Sequence, residues 1–183
     1  MMPSPDEKKT LGTPSRQIAV CALLTALSML LSYVDSLIPL LPQVPGIKAG
    51  LANIVILIAL YMLKERYALM INIARILLTG LLFSGITGIM YSLAGAVLSF
   101  LVMHLLKKSG LFSIVGVSLA GGAAHNTGQL LVAILLVSNL RLLYYLPALV
   151  ISGILTGILT GVISHILIHR LKKSLTIFNS PFG

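Results

Sequence analysis

Acidic residues are almost absent from this sequence: Asp6, Glu7, Asp35 and Glu65 are the only four in 183 positions. Charged residues of both signs together make up 9% of the chain, against roughly 25% in a soluble globular domain. That scarcity excludes a water-facing surface on every helix and leaves lipid as the outer solvent. It also excludes magnesium chemistry that depends on clustered aspartates, since no acidic pair falls within an apolar run. Cysteine occurs once, at Cys21, so neither a disulfide framework nor a cysteine metal site can form within one chain. No glycine-rich loop ending in Lys-Ser or Lys-Thr is present, which excludes an ATPase acting by itself. His125 has no second His, Asp or Glu nearby in the sequence and makes a poor metal ligand; neither a metal nor a cofactor is expected.

What remains is apolar. Hydrophobic residues account for 57% of the chain and run for about twenty positions at a time, the length that crosses a bilayer. The expected organisation is all-α: a disordered tail over 1–15, a transmembrane domain of six helices over 16–173, and a short tail over 174–183. The first apolar run extends over 18–41 with no small-residue cleavage site after it, so a retained helix is expected rather than a signal peptide. Spans are expected at about 17–34, 49–63, 67–82, 86–106, 112–137 and from Pro147 to about 169. Pro39, Pro42 and Pro45 separate the first two. The forty apolar residues from 67 to 106 exceed one crossing about twofold, and Gly80, Gly85 and Gly88 mark the turn. The polar string His125, Asn126, Thr127, Gly128, Gln129 interrupts the fifth span, where a tilt or local unwinding is expected.

Charge placement gives the expected orientation. The net charge of +9 sits in short clusters between apolar runs, not along one amphipathic face, which argues against nucleic acid as a partner. With six spans and a cytoplasmic amino terminus, Lys8, Lys9, Arg16, Lys64, Arg66, Lys107, Lys108, Arg170, Lys172 and Lys173 lie inside, and only Lys48 and Arg141 lie outside. The expected location is the bacterial cytoplasmic membrane, with both termini in the cytoplasm.

Polar residues within the spans are the candidate ligand site. Arg75 lies eight positions past Tyr67, about 12 Å into the membrane, where a charge costs several kcal/mol unless a cavity or partner compensates it. Asn72 precedes it by three residues, on the same face. His125 and Gln129 share a face at i, i+4 spacing, with Asn126 beside them. Lys48, just before the second span, and Asn53 lie at the outer end with Asp35. Lys48, Arg75 and Arg141 outweigh Asp35, so a small anionic ligand is expected, with Tyr91 available to stack on a ring. Ala22 and Ala26 form a small-x-x-x-small pair that lets another helix approach closely, as do Gly95 with Ser99, Ser118 with Gly122, and Gly153 with Gly157.

The strings from Pro45 to Ile54 (PGIKAGLANI) and from Ala120 to Gln129 (AGGAAHNTGQ), with Arg75 and the stretch Ser92-Leu93-Ala94-Gly95, resemble a small bacterial membrane family. That family is labelled Gx transporter or heptaprenyl diphosphate synthase component I, and the likeness runs from about Arg16 to Leu171. Where the family commonly carries leucine after the lysine, this chain has Ala49. The family is similar to the substrate-binding S components of energy-coupling factor transporters. The resemblance implies a six-helix S-component-like bundle with an outward ligand pocket, docked through Ala22 and Ala26 onto a transmembrane coupling subunit that works with ATPases. The expected function is uptake of a small anionic metabolite, with no catalysis by this chain. An accessory subunit of isoprenoid or quinone synthesis would instead copurify with a soluble aspartate-rich synthase, and a stand-alone secondary transporter would drive uptake by ions without any ATPase.

Overall fold

A computed structural model describes residues 14–37 and 50–178, with side chains from 16 to 37 and from 50 to 173. The expected tails and the proline-bearing segment with Lys48 lie outside the described residues. Every described element is helical: α1 (Pro14–Leu37), α2 (Leu51–Met62), α3 (Glu65–Thr79), a π segment (Gly80–Ser84), α4 (Gly85–Ser109), α5 (Ile114–Val137), a 3-10 segment (Leu140–Tyr145) and α6 (Leu146–Phe178).

Four stretches of the described chain are long and apolar enough to cross a membrane: Arg16–Leu37, Glu65–Ser109, Ile114–Val137 and Leu140–Lys173. The 45-residue stretch is not one straight rod. Glu65 at its start lies 3.0 Å from His104 Nδ1 and 3.5 Å from Lys107 Nζ near its end, and Gly80 packs on Ile89, so α3 and α4 form an antiparallel hairpin. The reversal uses the π segment and Gly85, whose φ of 69° and ψ of −177° suit glycine alone. Ends elsewhere follow local chemistry. Ser113 caps α5 by accepting from the Gly116 amide at 3.2 Å, and Gly110 closes α4 in the left-handed conformation after Lys107 and Lys108. Lys107 Nζ donates to the Leu60 carbonyl at 2.7 Å, satisfying the end of α2.

Two expectations are corrected. The polar string at 125–129 does not unwind: α5 is continuous from Ile114 to Val137. Its polar groups find partners without breaking the helix, Thr127 Oγ1 donating to the Ala123 carbonyl at 2.9 Å and Asn126 Nδ2 to the Leu149 carbonyl at 2.7 Å. The sixth helix also continues past Arg170, Lys172 and Lys173 to Phe178, because basic residues favour a helix end through charge but break no backbone bond.

Helix α2 is the centre of the bundle. At 12 residues it is about 18 Å long, short of the ~30 Å hydrocarbon core. Its residues Ile56, Leu57, Ala59 and Leu60 are buried with Ala68 and Ile71 of α3, Met103 of α4 and Val117 of α5. α1, α3 and α6 pack around it. On the other side α5 lies between α4 and α6, and there backbone meets backbone. A Cβ added at Gly122 would stand 2.2 Å from the Gly153 carbonyl oxygen, and one at Gly128 2.7 Å from that of Ala94. The Gly153 with Gly157 pair, and Ser118 with Gly122, are thus used inside the bundle.

Candidate functional site

The helices converge on a cavity of about 90 Å³. α1 contributes Ser32, Tyr33, Asp35 and Ser36; α2 and the residues before it contribute Gly50, Ala52 and Asn53; α3 contributes Arg75 and Thr79. The π segment adds Phe83 and Ser84, α4 adds Ser92, α5 adds Gly122, His125, Asn126 and Gln129, and α6 adds Thr156. Most of this lining is polar, although each helix is apolar over most of its length.

Arg75 is the dominant group. It is 9% exposed, and its two terminal nitrogens are held in place: Nη1 donates to Ser32 Oγ at 3.0 Å and Nη2 to Asn72 Oδ1 at 2.8 Å. Its Nε is buried with no hydrogen-bond partner. A buried charged donor left in that state costs on the order of 1–3 kcal/mol. Asp35, 6% exposed, lies near enough to offset part of the Arg75 charge. Tyr33 and Phe83 meet at the cavity with ring centroids 5.1 Å apart and planes tilted by 40°.

Of the eight residues proposed from sequence for the ligand site, five line the cavity: Asn53, Arg75, His125, Asn126 and Gln129. Asn72 stands behind Arg75 and orients it. Asn126 has its amide nitrogen committed to Leu149 of α6, so only the rest of the group faces the cavity. Tyr91 is half-buried on α4 and is not among the lining residues; Ser92, about 100° further round the helix, takes that place. Lys48 lies outside the described residues, and Arg141 is exposed in the 3-10 segment. Sequence reasoning placed Asp35 only at the outer end and missed Ser32, Ser36, Thr79, Ser84, Ser92 and Thr156. Single hydroxyls in apolar helices carry no local pattern; only the convergence of helices reveals them.

Residues 24–167 match the family model described as heptaprenyl diphosphate synthase component I. The chain belongs to that family. No curated protein and no solved structure matches it significantly. In this component I protein the matched segment contains every residue lining the cavity, and Ala26, whereas Ala22 lies just before it. Both alanines are exposed on α1. Among the described residues no three His, Cys, Asp or Glu side chains gather as a metal ligand set.

Proposed function

We propose that this component I protein is a membrane-embedded receptor for a small polar solute with at least one anionic group, and that it binds its ligand without transforming it. The observation that carries this reading is Arg75, a buried guanidinium lining a cavity that is otherwise rich in hydroxyls and amides. An intramembrane charge at a polar cavity points to function, and a ligand is the function such a cavity serves best. The finer reading is an S-component-like subunit for uptake, with six membrane crossings and both termini cytoplasmic. The cavity would then open to the outside, and Ala22 and Ala26 would dock a coupling subunit that works with ATPases. The exposure of both alanines on α1 supports that docking role. Native mass spectrometry of the gently purified protein tests the proposal: a small anionic adduct present in the parent and lost in Arg75→Met is expected. An adduct that persists in the variant would place the ligand elsewhere.

A second reading is favoured by the family description itself: an accessory membrane subunit of heptaprenyl diphosphate synthesis. The chain's own residues do not fit the magnesium-dependent chemistry of such a synthase, because its four acids include no intramembrane pair. In that reading catalysis belongs to another, aspartate-rich chain. Copurification with such a chain, in preference to an ATPase module, would select it.

A further inference from the structure

A second concavity lies on the opposite face of the α3–α4 hairpin from the cavity's chemistry. It is an open groove of about 430 Å³ lined by Leu69 and Ile73 of α3 and Val97, Phe100 and Leu101 of α4. Its length, from Glu65 to Ile73, is about 12 Å. Val97 is 59% exposed and Leu101 52%, so the groove opens sideways to the surroundings along its length, which for this chain is bilayer.

One end of the groove differs from the rest. Glu65, Arg66 and His104 line it there. Glu65 is engaged by His104 at 3.0 Å and by Lys107 at 3.5 Å. Arg66 is exposed; its Nη2 donates to the Tyr67 hydroxyl at 3.2 Å and its guanidinium lies 4.9 Å from the centre of the Tyr67 ring, beside the groove's apolar wall. Lys64 and Lys108 are exposed nearby in sequence, so this end carries four basic residues, Lys64, Arg66, Lys107 and Lys108, against the single acid Glu65. The combination is an apolar trough about as long as part of an acyl chain, ending at membrane depth in surplus positive charge. Basic sites between helices at a membrane face hold anionic lipid headgroups.

We propose that the α3–α4 groove binds an anionic phospholipid, with an acyl chain along Leu69, Ile73, Val97 and Leu101 and its phosphate at Arg66. Charge complementarity selects an acidic lipid over a zwitterionic one, and the lateral opening selects a molecule already in the bilayer, where lipid is the most abundant amphiphile. This site is independent of Arg75 and of the solute reading.

The test is native mass spectrometry of the detergent-purified protein given equal amounts of phosphatidylglycerol and phosphatidylcholine with identical chains. Retention of phosphatidylglycerol is expected to exceed that of phosphatidylcholine by about fivefold, the worth of one basic residue against an anionic headgroup. Arg66→Gln should bring the two lipids level. Val97→Trp or Leu101→Trp should fill the trough and lower retention of both; these side chains are exposed, so the bundle should keep its helicity and elution volume. Equal retention of the two lipids by the parent protein, or a preference for phosphatidylglycerol unchanged by all three substitutions, would overturn the proposal. So would farnesyl diphosphate displacing phosphatidylglycerol in an Arg66-dependent manner, which would assign the groove to a prenyl diphosphate.

Discussion

Helices α5 and α6 meet through their backbones, whereas α1 meets its neighbours through side chains. Along the first seam Gly122 faces Gly153, Gly157 faces Leu119 and Ser118, and Gly161 faces Val115, with no room for a Cβ at any of them. Ser118 Oγ and Thr160 Oγ1 lie 3.1 Å apart across it. Among the described side chains of α1 only Ser28 and Asp35 are buried, and Leu23, Leu27 and Leu30 face outward. The cavity lies where these two regions meet, its amide-bearing wall on the close-packed side and its charged wall, Asp35 and Arg75, on the looser one. A site built in this way has one wall fixed by backbone contact and another held by side-chain contacts, Arg75 to Ser32 and Asn72.

The contrast can be broken most severely at Gly122. Leucine there would drive a side chain into the Gly153 carbonyl, and because backbone cannot move aside as a side chain can, Gly122→Leu should yield no monodisperse protein in detergent. A normal elution profile would mean that the seam is looser than the geometry shows. Next in size is Arg75→Met, on the charged wall. The bundle should still form, while solute affinity falls by about 1.5–3 kcal/mol, the range for one charge-assisted hydrogen bond. Arg75→Lys should restore part of that loss, because it keeps the charge without the planar fork. Binding that survives in the methionine variant, together with a lowered melting temperature, would make Arg75 a brace.

Asn126→Ala separates the two walls more finely. Its amide donates to Leu149, so the substitution should cost about 1 kcal/mol of stability, read as a lower melting temperature, and change affinity less than Arg75→Met does. The smallest effect on folding is expected for Ala22→Leu with Ala26→Leu, within about 0.5 kcal/mol, because both positions are exposed. If α1 is a docking face, the same pair should abolish capture of a coupling subunit in a pull-down from membranes. Unchanged capture would remove that role.

Much of this arrangement is legible in the order of residues. The apolar runs locate α1 to α6 to within a few positions at most ends, and the glycines at 80, 85 and 88 mark the reversal between α3 and α4 because glycine alone accepts the backbone angles found at Gly85. Arg75 stands out because a charge in an apolar run demands an explanation. Tyr91 and Ser92 show where such reading stops. Which of two adjacent residues faces a cavity depends on the rotation of α4, and that is set by Gly95 lying against His125 and Gln129, a contact formed only once the helices have packed. Thr156 and Ser32 were hidden for the same reason: they lie 124 positions apart and nothing nearby distinguishes them from packing hydroxyls.

The π segment has a consequence for how the cavity exchanges its contents. Gly80 is pinned against Ile89, the Gly85 amide donates back to the Gly80 carbonyl, and Ser84 packs on Gly88, so the strap between α3 and α4 is tied at both ends. Lifting the strap would part Phe83 from Tyr33 and unroof the cavity. That movement costs the aromatic pair, about 0.5–1.5 kcal/mol, together with the Gly85-to-Gly80 hydrogen bond, about 0.5–1.5 kcal/mol more, so the closed form dominates. The aromatic pair is the part of this latch that one substitution removes: in Phe83→Ala, stopped-flow binding should show association and dissociation both accelerating.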